Sequence, residues 1–149
     1  MKAATDIEAA RARQLAALPW RLGKDGSIQV LMITSRTNKK WMLPKGWPMP
    51  GKTDAEAASQ EALEEAGVSG LASEAPVGSY AYIMLCDDGS TKPSQAVVFS
   101  LRVAKERRKW PEKGERSRKW FNAEEAAKMA HEPDLARLLS RVASGRILL

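Results

Sequence analysis

Three glutamates, Glu61, Glu64 and Glu65, lie within five residues of one another, shortly after a stretch in which Pro44, Gly46, Pro48, Pro50 and Gly51 fall within eight residues. At about 100° per residue the three acids span a helical sector of roughly 100°, so they can converge on one point. Like charges one turn apart repel weakly when solvated and more strongly beside an apolar surface. A divalent cation reverses that sign. Clustered carboxylates suit Mg²⁺ or Mn²⁺, hard ions that keep waters and bridge to substrate phosphates. The plain alternative is a solvated acidic helix, since surface helices favour Glu in any case. The loop ahead of it favours a site: so rich in Gly and Pro, it is read as irregular, with a backbone free to approach a ligand.

A helix must position these acids, and its ends are written in the sequence. Thr53 followed by Glu56 is a capping box, and Gly67 supplies a stop. Between them Ala, Glu and Leu dominate, all good helix formers. Ala55, Ala58, Ala62 and Ala66 form one row, flanked by Ser59 and Leu63, and this row is the predicted buried face. Such small side chains bring the helix axis close to whatever it packs on, which holds the neighbouring acids rigidly.

This stretch resembles the Nudix box, whose pattern is Gly, five residues, Glu, seven residues, Arg-Glu, an aliphatic, any residue, Glu-Glu, any residue, Gly, an aliphatic. Gly46, Glu61, Ala62, Glu64, Glu65, Gly67 and Val68 fall at the required spacing, while Lys52 replaces the usual Glu and Gln60 the usual Arg. In the family those two groups pair as ions, so their joint loss reads as a swapped structural contact. Beyond the box, Ser35-Arg36 ahead of Trp41, and Trp110 followed by Arg116, Arg118, Trp120 and Phe121, are similar to the diphosphoinositol polyphosphate phosphohydrolase branch. Where that branch has three glycines, this chain has Lys45, Gly46 and Trp47, which would narrow the site or stack a ring on a base.

The resemblance implies an α/β fold, a mixed β-sheet in a Nudix α/β/α sandwich, and hydrolysis of a phosphoanhydride. It implies that Glu61, Glu65 and Glu64, with a backbone carbonyl at Lys45 or Gly46, hold Mg²⁺ or Mn²⁺, that Glu64 is the general base, and that Ser35, Arg36, Lys45, Gly46 and Arg116 bind substrate. Glu112 or Glu115 is a further candidate ligand from the later loop. The substrate expected is a polyanionic small molecule such as a diphosphoinositol polyphosphate. The alternatives are a dinucleoside polyphosphate, the 5′ triphosphate of RNA, or a binding module that has lost hydrolysis. Nucleic acid enters only as substrate.

The composition agrees with such a partner. The net charge of +6 attracts anions, and arginine's fork fits phosphate well; the plain alternative for Arg36, Lys39, Lys40, Arg116 and Arg118 is a solvated basic surface. A chain of 149 residues, 44% hydrophobic and 28% charged, is expected to form a single soluble domain. It has no apolar run of the ~20 residues that span a bilayer. The lone Cys86 and the lack of an apolar leader argue against secretion and for a cytoplasmic location. One His and one Cys build neither a zinc site nor a nucleophile pair, and His131 reads as a surface residue.

The remaining elements follow from pattern. Residues 1 to about 12 read as a frayed or helical arm. Gln14–Leu22 reads as a strand placed at an edge because of Pro19, joined by the turn signal GKDGS to a strand at Ile28–Ser35. Further strands are expected at Ala75–Leu85 and Gln95–Val103, with an exposed edge strand around Arg116, Arg118 and Trp120. A second capping box at Asn122 and Glu125 and the stripe Leu135, Leu138, Leu139, Val142, with Pro133 at its start and Gly145 at its end, predict a helical C-terminal part.

Overall fold

A computed structural model describes residues 12–149. The arm expected over residues 1 to about 12 therefore lies, up to residue 11, outside the described residues, and Ala12 already belongs to a strand. Strand β1 (Ala12–Leu22) turns through Gly26, at φ 81°, into β2 (Ile28–Thr34). Two short strands follow, β3 (Trp41–Met42) and β4 (Lys45–Gly46), and then helix α1 (Asp54–Glu61), which widens into a π-helical turn (Ala62–Ala66). After β5 (Val68–Ala72), β6 (Gly78–Leu85), β7 (Thr91–Glu106) and β8 (Arg118–Asn122) come α2 (Ala123–Met129) and α3 (Pro133–Ala143).

The sheet runs β3-β2-β1-β7-β5, with β4 on β1, β6 on β7 and β8 on β2. The β1–β7 pair is parallel and the others are antiparallel, so the sheet is mixed. Alternation along β1 sends Leu15 and Ala17 to a core shared with α1, and Ala16 and Leu18 to one shared with α2 and α3. This is the expected α/β/α sandwich.

The expected capping box forms: the Glu56 N–H donates to Thr53 Oγ1 at 3.1 Å and the Thr53 N–H to Glu56 Oε1 at 2.8 Å. Gly67, at φ 67°, closes the helix. Of the predicted row, Ala58, Ala62 and Ala66 are buried and Ala55 is half-buried, while Ala57 is buried in addition.

Pro19 does not mark an edge. Strand β1 is central, paired along one side with β7 from Ala12 to Trp20. On its other side it pairs with β4 at Leu15 and Ala16 and with β2 only from Trp20 onward. The Ala17 N–H donates to the Pro44 carbonyl at 3.0 Å, so by two-residue alternation the Pro19 nitrogen faces this same side, where β1 changes partner. Strands β1 and β2 thus form a fork, and the Trp41–Gly46 segment fills it, with β3 on β2 and β4 on β1.

The second capping box does not form: Asn122 ends β8, paired with Gln29, and stands at the N-cap of α2, but its side chain makes no cap bond. Strand β5 carried no clear alternation. It contains a bulge at Ser69/Gly70, where a Cβ on Gly70 would lie 1.9 Å from the Arg102 carbonyl oxygen.

Candidate active site

The glutamate helix and the fork-filling segment meet at Gly46. A Cβ added there would fall 2.3 Å from the carboxyl carbon of Glu61, so any side chain at this position would displace the end of Glu61. One turn later Glu65 is buried, and its Oε1 accepts a hydrogen bond from the Lys45 N–H at 3.3 Å. Glu61 and Glu65 lie close enough for each carboxyl to affect the other's charge. Burial pushes Glu65 up to about 8 against the pull of the Arg116 guanidinium, and the neighbouring Glu61 adds to the rise. Burial raises Glu61 as well. Both shifts disfavour a second negative charge on the pair.

Glu64 sits apart from this pair: its Oε1 accepts from Gln60 Nε2 at 3.0 Å, though its charge is felt at Glu61. Among the described residues no group of three His, Cys, Asp or Glu side chains is gathered tightly enough to hold a metal ion. The carboxyl pair nonetheless fits a hard divalent cation. Its donors are all oxygens, and Gly46 brings backbone against it.

Arg116 is at the centre of this cluster, its side chain only 7% exposed. Its Nε donates to Glu112 at 2.9 Å and its Nη1 to the Thr34 carbonyl at 3.1 Å, while Nη2 stands 3.9 Å from Glu65. Glu112, read from sequence only as an extra ligand, adds its charge to both Glu61 and Glu65. By contrast the Arg36 side chain is 60% exposed and lies 3.8 Å from both Glu112 and Glu115. Ser35 closes its own loop by accepting the Lys40 N–H at 2.9 Å. Lys39, at φ 53°, reaches the Glu115 carbonyl at 3.1 Å, and Lys40 is exposed.

Arg118 is not the exposed edge cation its alternation suggested. It donates to the carbonyls of Ala66 at 2.9 Å, Gly67 at 3.3 Å and Arg107 at 2.8 Å, and stacks on Trp110 at 4.0 Å. It clamps the C-terminal end of the glutamate helix, where a cation complements the helix dipole. Lys45 is also drawn inward. Its ammonium lies 4.8 Å from the Tyr82 ring centroid and burial pushes its pKa down. No periodicity in the sequence distinguishes these inward cations from surface ones. Trp47 is 51% exposed, His131 is exposed, and Cys86 is half-buried at a turn.

The NUDIX domain family model matches residues 12–142. Nudix hydrolase 13 of Arabidopsis thaliana, a mitochondrial protein by name, is 35% identical over 131 residues, covering 75% of this chain and 63% of that one. Diphosphoinositol polyphosphate phosphohydrolase 2 of Rattus norvegicus is 28% identical over 137 residues, covering 89% of this chain and 72% of that one. A solved structure, the C. elegans Ap4A hydrolase, superposes with a TM-score of 0.65 at 20% identity over 91% of this chain and 98% of that one, a likeness of fold. The chain spans 63%, 57% and 66% of Arabidopsis Nudix hydrolases 13, 12 and 16, so it matches about three fifths of the length of these relatives. All three are named as mitochondrial, which overturns the cytoplasmic location expected from the lone cysteine and the N-terminal residues. No helix of the described residues is long and apolar enough to cross a membrane. Since the matched region takes in both the glutamate helix and the fork that holds Gly46 against it, the chain belongs to the NUDIX domain family.

Proposed function

We propose that this chain is a divalent-metal-dependent hydrolase that cleaves a phosphoanhydride bond in a polyphosphorylated small molecule. The observation that carries this reading is the approach of the Glu61 and Glu65 carboxyls to the bare backbone of Lys45 and Gly46. Glu61 and Glu65, with a carbonyl from Lys45 or Gly46, would hold Mg²⁺ or Mn²⁺. When bound, the ion supplies charge neutralisation at the phosphate oxygens and polarises water.

The chain's own groups divide the remaining work. Glu64 is one turn from the pair and tethered only by Gln60, so exchanging that bond leaves a carboxylate able to take a proton from the attacking water. Arg36 is the exposed cation beside the cluster and receives phosphates, with Ser35 and Lys40 shaping its loop. Arg116 is buried among carboxylates, so its part is to hold Glu65 and Glu112 in place. Lys45 contributes its N–H to Glu65.

The rat relative's name and the Ser35-Arg36 positions favour a diphosphoinositol polyphosphate; dinucleoside polyphosphates and RNA 5′ triphosphates are the alternatives. Phosphate release across such a panel, in Mg²⁺ and in EDTA, tests the reading. Metal-dependent release from at least one compound is expected. Binding without turnover on all of them would convert the chain into a binding module.

A further inference from the structure

The fork-filling segment also sets a thioether among the cations of the site. Met42, in β3, pairs with Ile33 of β2, and its side chain packs against the core on the glutamate-helix side of the sheet. The Lys45 ammonium and Arg116 Nη1 each donate to its Sδ at 4.0 Å, so the sulfur bridges the two. A thioether is a weak, soft acceptor, and neither bond holds a cation against a better partner. Arg116 has better partners, at 2.9 Å on Glu112 and 3.1 Å on the Thr34 carbonyl, and stands 3.9 Å from Glu65. The sulfur contact is the slack member of a tight set.

Oxidation would tighten it. Met42 is only half-buried, unlike Met32 of β2, which is fully covered, so a small oxidant can reach it. With hydrogen peroxide, a sulfur lone pair attacks one peroxide oxygen, and the S–O bond forms as the O–O bond breaks. The departing hydroxide takes the proton from the new S–OH group and leaves as water, so sulfur loses two electrons and the peroxide gains them. The flanking ammonium and guanidinium stabilise that hydroxide as it departs. The product sulfoxide is polar and reducible back to the thioether. Its oxygen lies one bond out from a sulfur that already has two cationic neighbours, and hydrogen bonds from them to it are charge-assisted.

We propose that Met42 is a reversible site of oxidation by hydrogen peroxide, and that its sulfoxide draws Lys45 and Arg116 away from the carboxylate cluster and lowers turnover. The oxidation site goes beyond the hydrolase reading, and only its effect on turnover rests on that reading. Arg116 holds Glu65 and Glu112, and the Lys45 N–H donates to Glu65, so a pull on both side chains is felt at one carboxyl. Met129, at the end of α2, is 45% exposed and oxidises at least as readily, but it hydrogen-bonds to neither cation. Exposure alone therefore does not set the response; position beside the two cations does.

The test treats the full chain with graded hydrogen peroxide and maps the added oxygens by mass spectrometry of its peptides. Melting temperature in EDTA and phosphate release in Mg²⁺ are each compared with the same protein's untreated value. Wild type should gain an oxygen on Met42, melt lower and lose roughly tenfold or more of its rate, and methionine sulfoxide reductase with a thiol should restore both. Met42→Leu, close in volume and not oxidisable, should hold its own untreated values, whereas Met129→Leu should respond as wild type does. Untreated Met42→Gln, with an amide oxygen in place of the sulfoxide's, should resemble oxidised wild type. No oxygen on Met42 at peroxide levels that oxidise Met129, a sulfoxide there without effect, or an equal loss in Met42→Leu, which would place the damage at Cys86 or elsewhere, would each overturn the proposal. No turnover by untreated wild type would remove the hydrolase reading, and a reversible melting shift absent from Met42→Leu would leave the oxidation site standing.

Discussion

The carboxyl carbon of Glu61 lies so close to Gly46 that a single methyl group added to that glycine would come within 2.3 Å of it. Gly46→Ala is therefore expected to push Glu61 off its position and separate it from Glu65. Turnover should fall by about 100-fold or more, as for other ångström-scale misplacements, while the circular dichroism spectrum stays that of the parent. Unchanged kcat in the alanine variant would mean that the contact between loop and acid has no part in the chemistry.

Glu64→Gln keeps the side chain's shape and its bond to Gln60 within reach while removing the base. A loss of several orders of magnitude in kcat is expected, with melting temperature held, since Glu64 is outside the buried pair. Single-turnover phosphate release is the measurement, and near-normal rates would take Glu64 out of the role.

The raised Glu65 carboxyl sets a pH dependence whose sign follows directly. Its ordinary value of 4.5 rises to about 8 in the folded chain, so between those values the folded state holds a proton that the unfolded state has lost. Stability without metal is full below about 4.5 and declines as pH climbs toward about 8. Mg²⁺ must displace the same proton, so its affinity rises over that window. Thermal melts in EDTA should show the decline in the parent and a flatter profile in Glu65→Gln; parallel profiles would show that the pair holds no such proton.

Arg116 and Arg36 separate by burial. Removing the Arg116 guanidinium leaves Glu65 and Glu112 facing each other without their shared cation, so Arg116→Ala should cost about 3–5 kcal/mol in denaturant melts. Arg36→Ala, whose ion pairs are exposed and long at 3.8 Å, should change stability by no more than about 0.5 kcal/mol. Its effect should instead be a KM raised roughly tenfold. Equal stability losses in the two variants would contradict this division.

What the sequence made legible was local. The Thr53–Glu56 capping box, the alanine row and the Leu135–Val142 stripe all depend on neighbours within one or two turns, and all appear as expected. Glu61 and Glu65 meet because helical spacing alone brings them together. What pattern missed depends on partners far along the chain. Pro19 sits in a central strand because β7 pairs along one side of it and its nitrogen falls where β4 gives way to β2 on the other, and Asn122 stands at the N-cap of α2 while also ending β8 on β2, without a side-chain cap bond. Arg116 and Arg118 look alike in sequence, yet one is buried among carboxylates and the other caps carbonyls against Trp110. Met42 carried no signal at all, since only the pairing of β3 with β2 brings its sulfur to Lys45 and Arg116.

The forked course of β1 and β2 sets two ladders in competition for the same backbone. Hairpins zip outward from their turns, and this one, begun at Gly26, stops pairing at Trp20↔Val30. The next rung would need an amide hydrogen from residue 19, which proline does not have. The zipper jams there, Leu15 and Ala16 stay available to Lys45 and Gly46, and the Trp41–Gly46 segment keeps its berth in the sheet. A residue that elsewhere reads as a strand breaker here works as a doorstop.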